Sequence, residues 1–248
     1  QDPAVSTATT ETRHNFTAAV NFREQFIDGY DTSFGFFFRA REGRPYSLTF
    51  DGGGVFADSS SGNDNALLYV PTGVNDPNLS DFSGQGFTDT QIAALQAAQA
   101  EAVQDTIDYV AASGCDFEPG ETIRRNTCRN DWHYDLDLRV SQELPFIGSL
   151  TGIKDDRIEV FADFANFLNL LDSGANILRS RGGFNGLVDV VDAGLRVTDP
   201  DDPTRTLRPD AVDSQGRYTF GGFNPDDQNN IAINPSAWRI QIGARYEF

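Results

Sequence analysis

The chain has 248 residues, a formal net charge of −18 and a mean hydropathy of −0.41. So acidic a surface repels nucleic acid, and no run approaches the roughly 20 apolar residues that a membrane helix needs. A membrane β-barrel is not excluded, because its strands are apolar only at every second position.

In chain order, period-two alternation marks five long strands. "HNFTAAVNF" sets Phe16, Ala18, Val20 and Phe22 against Asn15, Thr17 and Asn21. "TSFGFFFRAR" sets Phe34, Phe36, Phe38 and Ala40 against Ser33, Gly35, Arg39 and Arg41. A long connection follows over about 49–130, far beyond the usual roughly 4–6 residues of a loop. Within it, "FTDTQIAALQAAQAEAVQDTIDYVAASG" predicts a helix over about 89–113. Thr88 and Gln91 form a capping box, Ile92, Leu95, Val103, Ile107 and Val110 make one stripe, and Gly114 is a stop. The helix is expected to pack on its own loop as a structured lid.

The third strand, "WHYDLDLRVS", sets Trp132, Tyr134, Leu136, Leu138 and Val140 against His133, Asp135, Asp137, Arg139 and Ser141. "RIEVFADF" sets Ile158, Val160, Ala162 and Phe164 against Glu159, Phe161 and Asp163. A second long connection covers about 169–236. The tail "AWRIQIGARYEF" then alternates Trp238, Ile240, Ile242, Ala244, Tyr246 and Phe248 with Arg239, Gln241, Gly243, Arg245 and Glu247. Eleven alternating residues exceed the five or six or so of an average soluble strand and match the roughly 9–11 of a tilted membrane strand.

Five such strands with charges on every polar face predict an all-β, antiparallel transmembrane barrel segment, with lipid outside and a polar lumen inside. A soluble β-sandwich gives the same alternation and stays open as an alternative. The turns "EQFIDGYDT" and "LPFIGSLTGIKDD" are short, and short and long connections alternate, as periplasmic turns and external loops do in outer-membrane barrels. On that scheme Trp132, Tyr134 and Trp238 lie at the outer interface. Tyr30 and Tyr246, with Phe26 and Tyr46 as further candidates, complete the aromatic girdles. The luminal wall is Arg39, Arg41, Arg139, Arg239 and Arg245 with Asp135, Asp137, Glu159 and Asp163. Opposite charges on adjacent strands there satisfy one another.

Five blocks in order, "EGRPYSLTFDGGG", "DNALLYVPTG", "RNDWHYDLDLRVSQELP", "FADFANFLNLLDS" and "AWRIQIGARYEF", resemble the C-terminal part of TonB-dependent outer-membrane receptors. The resemblance is to the Oar-like branch, which usually carries a carboxypeptidase-regulatory-like domain. It implies a barrel of about 22 strands, an N-terminal plug, and a periplasmic TonB box that couples transport to inner-membrane energy. It also implies that Tyr246 and Phe248 form the signal read by the barrel-assembly machinery.

Residues 1–248 are thus expected to be the C-terminal part of one barrel domain, its last five strands, integral to a bacterial outer membrane with the long loops outside. Its partners are then outer-membrane lipid and lipopolysaccharide, the remaining strands and plug, and TonB through the missing N-terminal part. A small complete barrel is the alternative, with further strands hidden in "GLVDVVDAGLRV" and "GRYTFGGF". Outside the cytoplasm Cys115 and Cys128 are expected to pair. The aspartate-rich stretches "SSSGNDNA", "DPDDPTRTLRPDAVD" and "NPDDQNN" read as solvated turns, with Ca²⁺ binding as the sharper alternative. His14 and His133 have no HExxH or CxxC partner, and no GxSxG or P-loop occurs, so no enzyme and no cofactor is expected. Two functions follow: import of a siderophore, oligosaccharide or peptide, or surface adhesion and docking.

Overall fold

The computed structural model describes residues 6–52, 55, 66–145, 156–182, 186–225 and 230–247. In chain order its strands are β1 (Asn15–Ile27), β2 (Tyr30–Arg41), β3 (Pro45–Asp51), β4 (Tyr69–Val70), β5 (Glu121–Thr122), β6 (Cys128–Arg129) and β7 (His133–Pro145). They continue with β8 (Arg157–Ala165), β9 (Arg179–Ser180), β10 (Leu187–Asp192), β11 (Val197–Thr198), β12 (Thr206–Leu207), β13 (Asn230–Ile231) and β14 (Arg239–Glu247). The helices are α1 (Asp89–Ala112), α2 (Phe167–Leu171) and α3 (Ile233–Ser236). Strands predominate, and the fold is all-β in class. The chain divides into two compact units.

The first is a sheet unit of Thr12–Gly43, Asp131–Ser180 and Asn230–Phe248. Its five long strands run β1-β2-β7-β8-β14, every neighbour antiparallel. These are the five strands that alternation marks. Directly opposed residues in an antiparallel pair share a face, so register decides whether the five apolar sets coincide. They do: Val20, Phe36, Leu138, Phe164 and Ile240 form one row across the sheet, and Phe22, Phe34, Val140, Ala162 and Ile242 the next. A slip of one residue in any pair would invert that strand. β1 and β14 each pair on one side only and not with each other, so among the described residues the sheet is open.

Gly29, at φ +79°, makes the tight β1–β2 turn, beside a register shift between Glu24 and Ile27. Most of the second expected short turn, residues 144–156, lies outside the described residues, as does Phe248. The antiparallel order sends both long connections out of one end of the sheet. There Asn166 adopts the left-handed conformation at φ 54°, which Asn tolerates better than most residues. Its backbone N–H donates to Asp137, and its amide donates to the carbonyls of Pro235 and Ser236.

The second is a loop unit: Gln1–Glu11, Arg44–Asn130 and Arg181–Asn229. The two stretches expected as separate external loops fold together around a core of their own. β3 lies between β10, which it pairs in parallel, and β6, which it pairs antiparallel. Six of the seven β3 residues are buried, so β3 is a central strand covered on both faces. Leu48, Phe50, Val188, Val190 and Val191 pack with Val103 and Val110 of α1. Tyr218 stacks between Phe50 and Tyr69, with ring centroids 5.9 and 4.8 Å away.

Three expectations are corrected by this unit. "LVDVVD" pairs with β3, and "GRYTFGGF" folds back on residues 211–213 through an antiparallel Val212–Tyr218 bridge and supplies Tyr218 and Phe220 to the core, so neither adds a strand to the five-stranded sheet. Tyr46 is fully buried here, because its ring completes the apolar core, and so it belongs to no girdle. The helix packs on strands from both stretches, not on its own loop alone. Its capping box forms as expected: the Thr88 hydroxyl accepts from Gln91 N at 3.3 Å, and Gln91 Oε1 accepts from Thr88 N at 3.0 Å.

Cys115 and Cys128 are disulfide-bonded, joining the turn after α1 to β6, with Cys128 in the core. A cross-link 13 residues apart removes loop entropy from the unfolded chain worth about 3 kcal/mol. The double variant Cys115→Ser/Cys128→Ser is therefore expected to lose about that much stability. A denaturant titration followed by near-ultraviolet circular dichroism checks it; an unchanged midpoint would mean that packing alone holds β6.

Candidate functional site

The sheet unit presents two chemically opposite faces. On the polar face Arg139 Nη1 donates to both oxygens of Asp163 at 3.1 Å, and its guanidinium lies 4.6 Å from the Phe161 ring centroid. The Phe161 ring in turn crowds Gly243, where a Cβ would collide with its Cζ. Glycine is required there by close approach rather than by its backbone angles. Arg245 pairs with Glu159 at 3.7 Å. Arg39 stands opposite Asp135 in register, and its Nε reaches Asn15 at 3.4 Å. Arg41 stands opposite His133, and Arg239 opposite Ala165. Asp137 serves the Asn166 corner instead of an arginine.

The expected wall is thus brought onto one face, with the ion pairs Arg139–Asp163 and Arg245–Glu159 made. Arg157 was missed: it bridges Glu143 at 3.4 Å and Glu247 at 3.2 Å, across three strands. The signal lay in register, which a single sequence does not display.

The apolar face exposes Val20, Phe22, Phe36, Val160, Ile240 and Ile242 and is half-buried at Leu136, Leu138 and Val140 of β7. Its tryptophans and tyrosines collect at the two ends, while phenylalanines fill the rows between. At the end bearing the long connections, Trp132 stacks with His14, Phe16 and Tyr134, centroids 6.2 to 6.3 Å apart, and Trp238 is exposed. At the other end stand Tyr30, opposite Ile27, and Tyr246, whose hydroxyl donates to Asp156 at 3.3 Å.

No protein-family model, curated protein or solved structure matches this chain. What it does must be read from the chemistry of its own surfaces. None of the described helices is long and apolar enough to cross a membrane, which leaves strand-spanning untouched.

The loop unit holds 23 of the 37 acidic residues and 9 of the 19 basic ones. Asp199 and Asp213, expected as solvated turn residues, are buried hubs, and so is Asp76, which lies outside the aspartate-rich stretches. Asp76 accepts from Tyr69 Oη, Thr72 N, Thr72 Oγ1 and Asn78 N at 2.7 to 3.0 Å. Burial alone would raise its pKa, but these donors outweigh burial and hold it below the ordinary range. Asp213 behaves likewise: burial opposes, and the Arg217 and Gln215 N–H groups, the Arg217 guanidinium and Ser80 prevail. Arg217 also grips Asp81 through both terminal nitrogens, at 2.7 and 2.6 Å, and holds that carboxyl well below its usual range. Asp199, 1% exposed in its side chain, accepts both Gln91 Nε2 bonds at 3.0 Å, while Asp201 accepts from Thr88 Oγ1.

These carboxylates are occupied by protein donors. Among the described residues, no group of three or more His, Cys, Asp or Glu is arranged to hold a metal ion. Most of "SSSGNDNA" and "NPDDQNN" lies outside the described residues.

Proposed function

We propose that this chain forms part of an outer-membrane β-barrel, that of a TonB-dependent receptor importing a scarce nutrient. The observation that carries the reading is the continuous exposed apolar face, backed by a charged face, on five antiparallel strands. In water such a face is an aggregation liability; against lipid it is the required surface. Dimensions agree. Trp238 and Tyr246 are eight steps apart along one strand, about 26 Å at a rise of about 3.3 Å per residue. A tilt of about 40° brings that to about 20 Å of height, close to the apolar band of about 25 Å between aromatic girdles.

The open edges support completion by further strands. As first and fifth members of an antiparallel order, β1 and β14 run in the same direction. Two copies side by side in the same orientation would meet at a parallel seam, whereas membrane barrels of this kind are antiparallel. Closure therefore calls for an odd number of additional strands. Import itself rests on the resemblance of the five blocks. The folded, acidic, disulfide-stapled loop unit favours a second reading, a surface docking platform, and deletion separates the two. Lost nutrient uptake with intact adhesion supports the importer, and the reverse supports the platform.

The membrane reading is tested by immunoblotting native outer membranes with an antibody to the tail, boiled against unboiled. A heat-shifting band on the order of 100 kDa, the span of about 22 strands and a plug, is expected. A band that does not shift, from material soluble without detergent, would return the sheet to a water-soluble protein. A heat-shifting band at 27.2 kDa would instead make it a small barrel and remove the importer.

A further inference from the structure

A cleft of about 540 Å³ opens in the loop unit between the 74–81 turn and α1. That volume falls within the roughly 300–1,000 Å³ of small-molecule sites. Val74, Pro77 and Leu79 form one wall, and Ala97 and Ala100 the other. The alanines matter because they recess the helix surface to its methyl groups.

Both walls are pinned. The turn is held by the bonds converging on Asp76. The helix is tied to it by Gln99, whose Nε2 donates to Ser80 O at 2.9 Å, and by Gln96, whose Nε2 donates to Asp81 O at 3.2 Å. Gln99 Oε1 accepts from Phe220 N at 3.1 Å, which fixes the amide's orientation. A cleft so held loses little conformational freedom when it is filled.

Its charge is one-sided. Arg217 is shared between Asp81 at 2.6 Å and Asp213 at 2.8 Å, so one cation faces two carboxylates. The solvent-facing member is Asp81, with half of its side chain exposed, against 19% for Arg217 and 3% for Asp213. The unit around it carries 23 acidic and 9 basic residues. An apolar floor with an anionic rim, inside a negative field, attracts cations and repels anions.

We propose that this cleft captures short cationic peptides, seating an apolar side chain between Val74 and Ala97 and a lysine or arginine against the net negative charge of the Asp81–Arg217–Asp213 cluster, whose members already bond one another. This deepens the importer reading and rests on it, in that it names the class of cargo. Anionic ferric chelates are disfavoured at this cleft by the same field.

The test is calorimetric titration of the whole chain in detergent micelles with Lys-Leu-Lys, Glu-Leu-Glu and a neutral glucose trisaccharide. Lys-Leu-Lys is expected to bind at least tenfold more tightly than the other two and to weaken as sodium chloride is raised. Ala97→Trp is expected to cut that binding at least tenfold by filling the cleft. Ala97 is exposed, so the variant's melt should match the parent's. Asp81→Asn is expected to erase the preference over Glu-Leu-Glu.

Binding of Glu-Leu-Glu or the trisaccharide as tight as that of Lys-Leu-Lys would overturn the proposal. So would Lys-Leu-Lys binding untouched by Ala97→Trp, or no binding at all. A receptor-sized, heat-shifting band beside absent peptide binding would defeat the cleft assignment alone. Peptide binding by a chain that never enters membranes would defeat the importer reading instead.

Discussion

Phe36→Arg is expected to destabilise the membrane-inserted sheet by about 2–4 kcal/mol, the cost of a cationic side chain at the bilayer midplane of a barrel. The matched variant Phe37→Arg is expected to cost less than about 1 kcal/mol. The two residues are adjacent in β2 and nearly equal in exposure, at 42% and 41%. Only the face differs. Phe36 lies in the row of Val20, Leu138, Phe164 and Ile240, the middle of the apolar face. Phe37 lies on the polar face opposite Asp137, which an arginine there could pair with. Guanidinium titrations of vesicle-inserted protein, scored by the heat-shifting band, measure the difference. Exposure alone predicts equal effects, and so does a water-soluble sheet, where arginine would replace an exposed ring and if anything improve solubility. Equal midpoints would therefore remove lipid from the account of this face.

The asymmetry between those residues was legible before any coordinates, because period two survives in a single sequence whenever one side of a strand meets a different medium from the other. β1, β2, β7, β8 and β14 all carry that period. α1 was legible through its capping box and stripe, and the disulfide through compartment. β3 was not, because it is buried on both faces: "PYSLTF" has nothing to alternate between. Its partner β10 comes from 136 or more residues further on, and parallel pairing leaves no turn signal to announce it. The buried aspartates were illegible for another reason. Asp76 among Thr72, Asn75 and Asn78 reads as a solvated turn, and the local bonds it makes are turn bonds. Burial comes with the packing of Tyr69 against Tyr218, more than 140 residues away, which no local pattern encodes. Gln99 was likewise passed over in α1, and Gln91 was read only as a capping residue, because an apolar stripe counts only apolar residues, although both are buried and each joins the helix to residues beyond position 180.

Asp76→Ala follows from that hub. It leaves the Thr72 and Asn78 N–H groups and the Tyr69 hydroxyl without their acceptor in a buried place. Leaving buried donors unpaired costs about 1–3 kcal/mol each before relaxation, so a total loss of about 3–4 kcal/mol in the loop unit is expected at pH 7. The wild-type loop unit should also lose stability in acid. The pKa values of Asp76, Asp81 and Asp213 are lowered in the folded state. Their contribution is complete above the unfolded carboxyl value of about 3.9 and declines as pH falls below it toward the folded values. Asp192 works the other way, since burial and the neighbouring Asp51 raise its pKa. Its protonation relieves the fold as pH falls, ahead of the loss from the other three. Melts at pH 7, 4.5 and 2.5, followed by near-ultraviolet signals, should therefore show little change over the first interval and a steep loss over the second. In Asp76→Ala the second step should be shallower, because one of its buried contributors is gone. A variant whose melts overlay the parent's throughout would mean that Asp76 is solvated after all, and that the turn forming one wall of the cleft is held by packing alone.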